Sequence, residues 1–155
     1  MDEGQDDDVD YGPEPATVAE KALTVQRVTD MSIPERVKAA MRGTREMRAV
    51  LIRDPNKLVA LSVLRSPKVT ENEVELFAKM TSVDADVLRT ISQTRAWMKN
   101  YSIAHALVRN GKTPLAISMT LLRRLNEGDL RRLSGDRNIP EALRIAARKK
   151  IVFEG

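Results

Sequence analysis

The sequence predicts an all-α protein: a right-handed, α-solenoid-like stack of short helices, forming a single domain behind a disordered acidic N-terminal arm. The first observation behind this is an internal repeat. Residues 57–70 recur at 101–114, so that Val59 aligns with Ile103, Ala60 with Ala104, Val63 with Leu107 and Leu64 with Val108. The residues closing the stretch recur too, Arg65 as Arg109, Ser66 as Asn110 and Lys68 as Lys112. Self-similarity at a spacing of 44 residues belongs to helical arrays in which each unit buries its apolar face against the next. The second observation is that every Gly and Pro between residues 31 and 150 falls at a joint between stretches of helical periodicity. The third is that no alternating apolar–polar run is long enough to read as a strand.

In chain order, residues 1–15 combine charge, Gly and Pro with almost nothing to bury, and are expected to be a disordered tail. Residues 16–30 read as a marginal helix or linker, because their β-branched residues weaken helix formation. The helical-repeat domain is expected over 31–152. Ser32 is placed to cap a helix with Pro34 in its first turn and Ile33, Val37, Ala40 and Met41 on one face. Gly43 ends it, and Thr44 caps the next, with Met47, Val50 and Leu51 inward. Asp54-Pro55-Asn56 stops that helix and opens the first copy of the repeat, whose inner face is read as Leu58, Val59, Val63 and Leu64.

After the turn at Ser66-Pro67, Thr70 and Glu73 form a capping box for a helix carrying Val74, Phe77 and Ala78. A shorter helix follows from Asp84 through Val87, Leu88 and Ile91. The second unit begins near Ala96. Beyond its turn at Gly111–Pro114 a helix is expected to turn Leu115, Met119, Leu122 and Leu125 inward. A short element around Leu130 and Leu133 mirrors the one at 84–92. The last helix opens at Asn138-Ile139-Pro140-Glu141, which repeats Ser32-Ile33-Pro34-Glu35.

Composition narrows the function classes. The chain has no Cys, which excludes disulfides and thiolate metal sites and suits a reducing compartment. Its single histidine, His105, leaves no His cluster for a metal. No cofactor is expected. No apolar run approaches the roughly 18–20 residues that span a bilayer, and the N-terminus is acidic where a secretory signal would be basic and then apolar. A cytoplasmic location is the expectation. The net charge of +4 joins two opposite parts: residues 1–20 hold eight acidic groups and no Lys or Arg, leaving 26 basic and 14 acidic groups, a net +12, on the remainder.

With the joints placed, Asp54-Pro55-Asn56, Val63-Leu64-Arg65-Ser66-Pro67 and Val74, together with the partial copy at Asn100 and Leu107-Val108-Arg109-Asn110-Gly111, give the chain a likeness. Over roughly residues 32–150 it resembles short α-helical repeat proteins of the HEAT-like and leucine-rich-repeat-variant kind. The second copy departs at Met98-Lys99, where the first has Asp54-Pro55, and at Gly111, where the first has Pro67. The resemblance implies a curved scaffold without catalytic function that binds other macromolecules.

Several motifs carry a chemical reading beside a structural one. Residues 106–113, Ala-Leu-Val-Arg-Asn-Gly-Lys-Thr, fit a loose phosphate-loop pattern. That motif needs a Gly-rich loop between strand and helix, whereas 101–109 is periodic as a helix, so a plain turn is expected. A helix-turn-helix around Gly111 would place Pro114 at the start of its reading helix, with only Ser118 and Thr120 to reach bases. Asp84 and Asp86 read as first-turn charges favoured by the helix dipole. His105, alone and beside an apolar face, reads as a flanking residue.

The basic positions Arg65, Lys68 and Arg89 recur as Arg109, Lys112 and Arg132, and in a stack they are expected to align into a ladder of positive charge. Arg65 and Arg109 also close helices, where a cation offsets the dipole. Trp97 and Tyr101, one helical turn apart, form either a small aromatic patch or packing between the units. These eight residues are the candidate partner-binding set. The expected function is a non-catalytic scaffold or adaptor whose basic surface binds a protein partner with an acidic face. The alternative is a nucleic-acid-binding protein, autoinhibited by its acidic arm.

Overall fold

The computed structural model describes residues 17–154, which form eleven α-helices and one 3-10 turn, with no strand among them. The chain is all-α as expected. The acidic tail predicted for residues 1–15 lies outside the described residues. The helices are α1 (Val18–Thr29), α2 (Ile33–Arg42), α3 (Arg45–Leu51), α4 (Lys57–Leu64), α5 (Glu71–Lys79) and α6 (Ala85–Gln93). They continue with α7 (Arg95–Met98), α8 (Tyr101–Arg109), α9 (Leu115–Leu121), α10 (Glu127–Ser134) and α11 (Glu141–Glu154), the 3-10 turn Leu122–Arg124 following α9 directly.

Short polar side chains set the helix starts. Thr17, Ser32, Thr44, Asn56, Thr70, Asp84, Asn100 and Asn126 each accept a hydrogen bond from a backbone N–H of the first turn, satisfying donors that have no carbonyl partner there. Glu20 and Glu73 complete capping boxes on Thr17 and Thr70. That box explains why 18–29 is helical despite its β-branched content. Two of those residues, Thr24 and Thr29, direct their hydroxyls back to the carbonyls of Glu20 and Val25. Helix α1 packs on α3 and buries Val28.

The most extensive helix pairs are α10 with α11, α2 with α4 and α5 with α8, followed by α1 with α3, α4 with α6 and α8 with α9. The core between them holds Leu51, Ile52, Phe77, Leu88, Ile91, Ile103, Leu107, Leu133 and Leu143, all essentially inaccessible. Each such side chain stabilises the fold by about 1.5–3 kcal/mol relative to its exposed state.

Three expected core residues lie elsewhere. Leu58 is 59% exposed, and Leu115 and Met119 are 41% and 39% exposed. In α4 the buried set is Val59, Ala60, Ser62, Val63 and Leu64, and Leu58 is turned about 100° from Val59. In α9 the inward positions are Ser118 and Leu121, continued by Leu122 and Leu125, which leaves Leu115 and Met119 on the outer side.

One ion pair is interior. Arg48 of α3 donates through Nε to Glu73 Oε1 at 2.7 Å and through Nη2 to Oε2 at 3.2 Å, and its Nη1 reaches the Gly43 carbonyl at 3.0 Å. Glu73 Oε2 also accepts from the Thr70 amide and hydroxyl. Burial pushes the Glu73 carboxyl up, but the hydrogen bonds from Arg48 and Thr70 outweigh it and hold the group below the usual carboxylate range.

Candidate functional site: the basic joints

The repeat places two helix ends, those of α4 and α8, against the ends of α2 and α5. After α4, Ser66 Oγ donates to the Met41 carbonyl of α2 at 3.0 Å and accepts from the Lys68 amide at 3.2 Å. After α8, Asn110 Nδ2 donates to the carbonyls of Ala78 and Met80 at the end of α5, at 2.9 and 2.8 Å. Its Oδ1 accepts from the Lys112 amide at 3.0 Å. Both side chains are buried. They tie each unit to its predecessor, satisfying carbonyls that a helix end would otherwise leave without a partner.

The basic candidates surround these ties. Arg65 and Arg109 are exposed at equivalent helix ends, and neither side chain makes a hydrogen bond or ion pair among the described residues. Helix-end carbonyls are met by other groups. Ser66 and Asn110 bond those of α2 and α5, while the Thr113 hydroxyl, at 2.7 Å, and the Asn110 amide take the Leu107 carbonyl of α8. The two lysines differ. Lys68 Nζ donates to the Arg42 carbonyl at 3.2 Å, whereas Lys112 Nζ has no such acceptor among the described residues.

At the second joint the cations line a cleft of about 720 Å³. Its walls carry Lys79 from the end of α5, His105 and Arg109 from α8, Lys112 from the turn, and Asp136 and Asn138 from the α10–α11 connection. Lys79 keeps a loose pair with Glu75, 3.7 Å away and one turn back. Asp136 Oδ1 accepts from the Asn138 amide at 2.8 Å, which folds that connection into a tight turn.

His105 is half-buried and stacked on the Tyr101 ring, with centroids 6.1 Å apart. Burial pushes the imidazole below its ordinary pKa, and the charges of Arg109, Arg132 and Lys79 push the same way, opposed by Asp129 at 3.6 Å. The imidazole is therefore neutral at pH 7, and the cleft's field comes from Lys79, Arg109 and Lys112. The arrangement can attract and hold an anion.

Arg89 and Arg132 do not join this set. Arg89 pairs with Asp86, whose second oxygen takes Lys57 Nζ at 2.6 Å. Arg132 pairs with Asp129 at 2.7 Å, and the other oxygen of Asp129 accepts the Tyr101 hydroxyl at 2.5 Å. The hydrogen bond from Tyr101 outweighs burial and, with the charge and hydrogen bond of Arg132, holds Asp129 below the usual carboxylate range. Lys57 and Tyr101 open α4 and α8, whereas Arg65 and Arg109 close them, about 12 Å further along the axis. The residues expected to form a single ladder are thus divided between opposite ends of α4 and α8.

Trp97 and Tyr101 sit on successive helices, because Lys99 ends one and Asn100 caps the other. Trp97 packs partly buried against the core, and the Tyr101 hydroxyl also accepts from the Asn126 amide at 3.0 Å. Packing between elements, not a free aromatic patch, is what the two rings show.

The phosphate-loop-like stretch is equally occupied. Residues 106–109 belong to α8, and Thr113 is buried against Leu107. A Cβ on Gly111 would stand 2.5 Å from the Asn138 carbonyl oxygen, so its glycine serves the approach of one backbone to another.

Sequence reasoning found Arg65, Lys68, Arg109 and Lys112 but missed Lys79, Asp136 and Asn138. Those reach the joint from neighbouring units, through contacts that periodicity within one unit does not encode. Among the described residues no group of three His, Cys, Asp or Glu side chains is placed to hold a metal ion, and no helix is long and apolar enough to cross a membrane. No protein-family model, no curated protein and no solved structure matches this chain.

Proposed function

We propose that the protein is a non-catalytic scaffold of stacked helical units, akin to HEAT-like repeats, that binds the acidic face of a protein partner through its basic joints. The observation carrying this reading is the pair Arg65 and Arg109. They recur at equivalent helix ends 44 residues apart, both exposed and both without a counter-ion among the described residues. Capping alone does not account for them, since neither bonds a carbonyl. The pairing of α2 with α4, α5 with α8 and α10 with α11 is compatible with the stacked reading. A protein is favoured over single-stranded nucleic acid because Trp97 packs on the core and the Tyr101 ring is stacked on His105, leaving neither as a platform for bases.

Nucleic acid is the second reading, favoured by the net +12 of residues 21–155. Capture from extract of the native cell, with and without nuclease, separates the two. The scaffold reading expects a protein bound after nuclease treatment and lost from a variant carrying Arg65→Gln, Lys68→Gln, Arg109→Gln and Lys112→Gln. Capture that vanishes with nuclease, together with duplex binding that weakens log-linearly as salt rises, would replace it.

A further inference from the structure

The two joints are alike in backbone and unlike in what they leave free. At the first, Ser66 satisfies one carbonyl of α2, and Lys68 Nζ is spent on the next, that of Arg42. At the second, Asn110 satisfies two carbonyls of α5 with its own amide group, so Lys112 is released. The released lysine stands with Arg109 and Lys79 around the 720 Å³ cleft, and the α10–α11 turn supplies the far wall.

The charges there do not balance. Arg109 and Lys112 make no ion pair among the described residues, Lys79 keeps only its loose 3.7 Å pair with Glu75, and Asp136 on the far wall is engaged by the Asn138 amide. Helix dipoles do not help an anion here, because α5 and α8 present their C-terminal ends. The positive charge for binding comes from the side-chain cations, with Thr81 and Asn138 also on the walls. A carboxylate offers two acceptor oxygens and one charge, whereas a phosphate monoester carries about −1.5 to −2 at neutral pH and offers three acceptor oxygens. Arg109 can meet two of those oxygens through its planar fork, and the lysines can act as point charges.

We propose that the second joint is a recognition site for a phosphorylated side chain, a phosphate monoester dianion carried by the acidic partner, with Arg109 and Lys112 as its principal contacts and Lys79 assisting. The inference rests on the scaffold reading above and narrows it to one joint. The first joint lacks the free lysine and is left with general attraction for acidic residues.

The test is a titration of full-length, isotope-labelled protein with an acidic peptide bearing one phosphoserine, followed by amide shifts. The same peptide without phosphate, and inorganic phosphate, are run at matched ionic strength. The phosphopeptide is expected to move the Gly111, Lys112 and Asn138 amides saturably and to bind roughly tenfold more tightly than its unphosphorylated form. The variant Arg109→Gln/Lys112→Gln should abolish that difference, and Arg65→Gln/Lys68→Gln should preserve it, both with amide dispersion retained. Equal affinity for the two peptides would overturn this inference and leave the scaffold reading standing. Binding of neither peptide would overturn both. Inorganic phosphate binding as tightly as the phosphopeptide would make the cleft a free-anion site and overturn the proposal.

Discussion

Ser66 and Asn110, 44 residues apart, reach back onto the ends of the preceding helices in the same way, Ser66 to the Met41 carbonyl and Asn110 to those of Ala78 and Met80. Each tie costs one side chain and fixes one helix end on another. Because Asn110 serves two carbonyls and Ser66 one, the ties differ in strength. Asn110→Ala should destabilise the protein by about 2–4 kcal/mol and Ser66→Ala by about 1–2 kcal/mol, since each unmet buried carbonyl carries a desolvation penalty. Urea unfolding of both variants measures the difference, and equal losses would show that the second bond of Asn110 contributes nothing.

The buried pair of Arg48 and Glu73 makes a sharper prediction. Arg48→Met leaves Glu73 as an uncompensated interior carboxylate and should cost about 3–5 kcal/mol, whereas Arg48→Met/Glu73→Leu should recover most of that loss. The Glu73 carboxyl lies below its ordinary value in the folded protein, so the unfolded chain binds the proton more readily. The stability it contributes is full above its unfolded value, about 4.3, and is lost as pH falls through the lower folded value. Denaturation curves from pH 3 to 6 should show a decline that is absent from the double variant.

His105 behaves oppositely in charge and alike in sign. Its folded pKa lies below its ordinary value, so the unfolded state takes up the proton first. Acidification through about pH 6.5 should therefore remove stability. An imidazole titration by NMR should place the midpoint below that value. Arg109→Gln should raise it by relieving repulsion, and Asp129→Asn should lower it further by removing the one opposing charge. A midpoint at or above the ordinary imidazole value would contradict the burial of the ring and the arrangement of Arg109, Arg132 and Lys79 around it.

Much of this was legible in the chain. The helix starts were, because Ser32, Thr44, Thr70 and Asn56 are short side chains whose capping is local physics. The burial of Val74, Phe77, Val87, Leu88 and Ile91 was too, because their spacing defines one face. Leu115 and Met119 were misread as core for the same local reason: they share a helix face, but its direction depends on α11, which lies far away in sequence. Half of the basic joint was visible as a repeat. Lys79 was not, since it belongs to the end of one helix and acts beside the end of another.

Two glycines should respond in opposite directions to alanine. At Gly111 the new Cβ would meet the Asn138 carbonyl at 2.5 Å, a backbone atom fixed by its own turn. Gly111→Ala should therefore cost about 1–3 kcal/mol, by overpacking. Gly128 lies in the first turn of α10, where the nearest atom to a Cβ is 3.5 Å away, an ordinary contact. Gly128→Ala should stabilise by up to about 1 kcal/mol, by removing backbone freedom from the unfolded chain. Thermal melts of the two single variants check both signs.

The carboxylates Asp86 and Asp129 hold corresponding slots, each gripping the arginine one turn ahead and the residue that opens the neighbouring helix. In one slot that residue is the cation Lys57, and in the other the phenol Tyr101. The slot thus tolerates a change of formal charge while its hydrogen bond and helix start stay the same. Such sockets let the surface charge of the protein change with little disturbance of the frame that carries it.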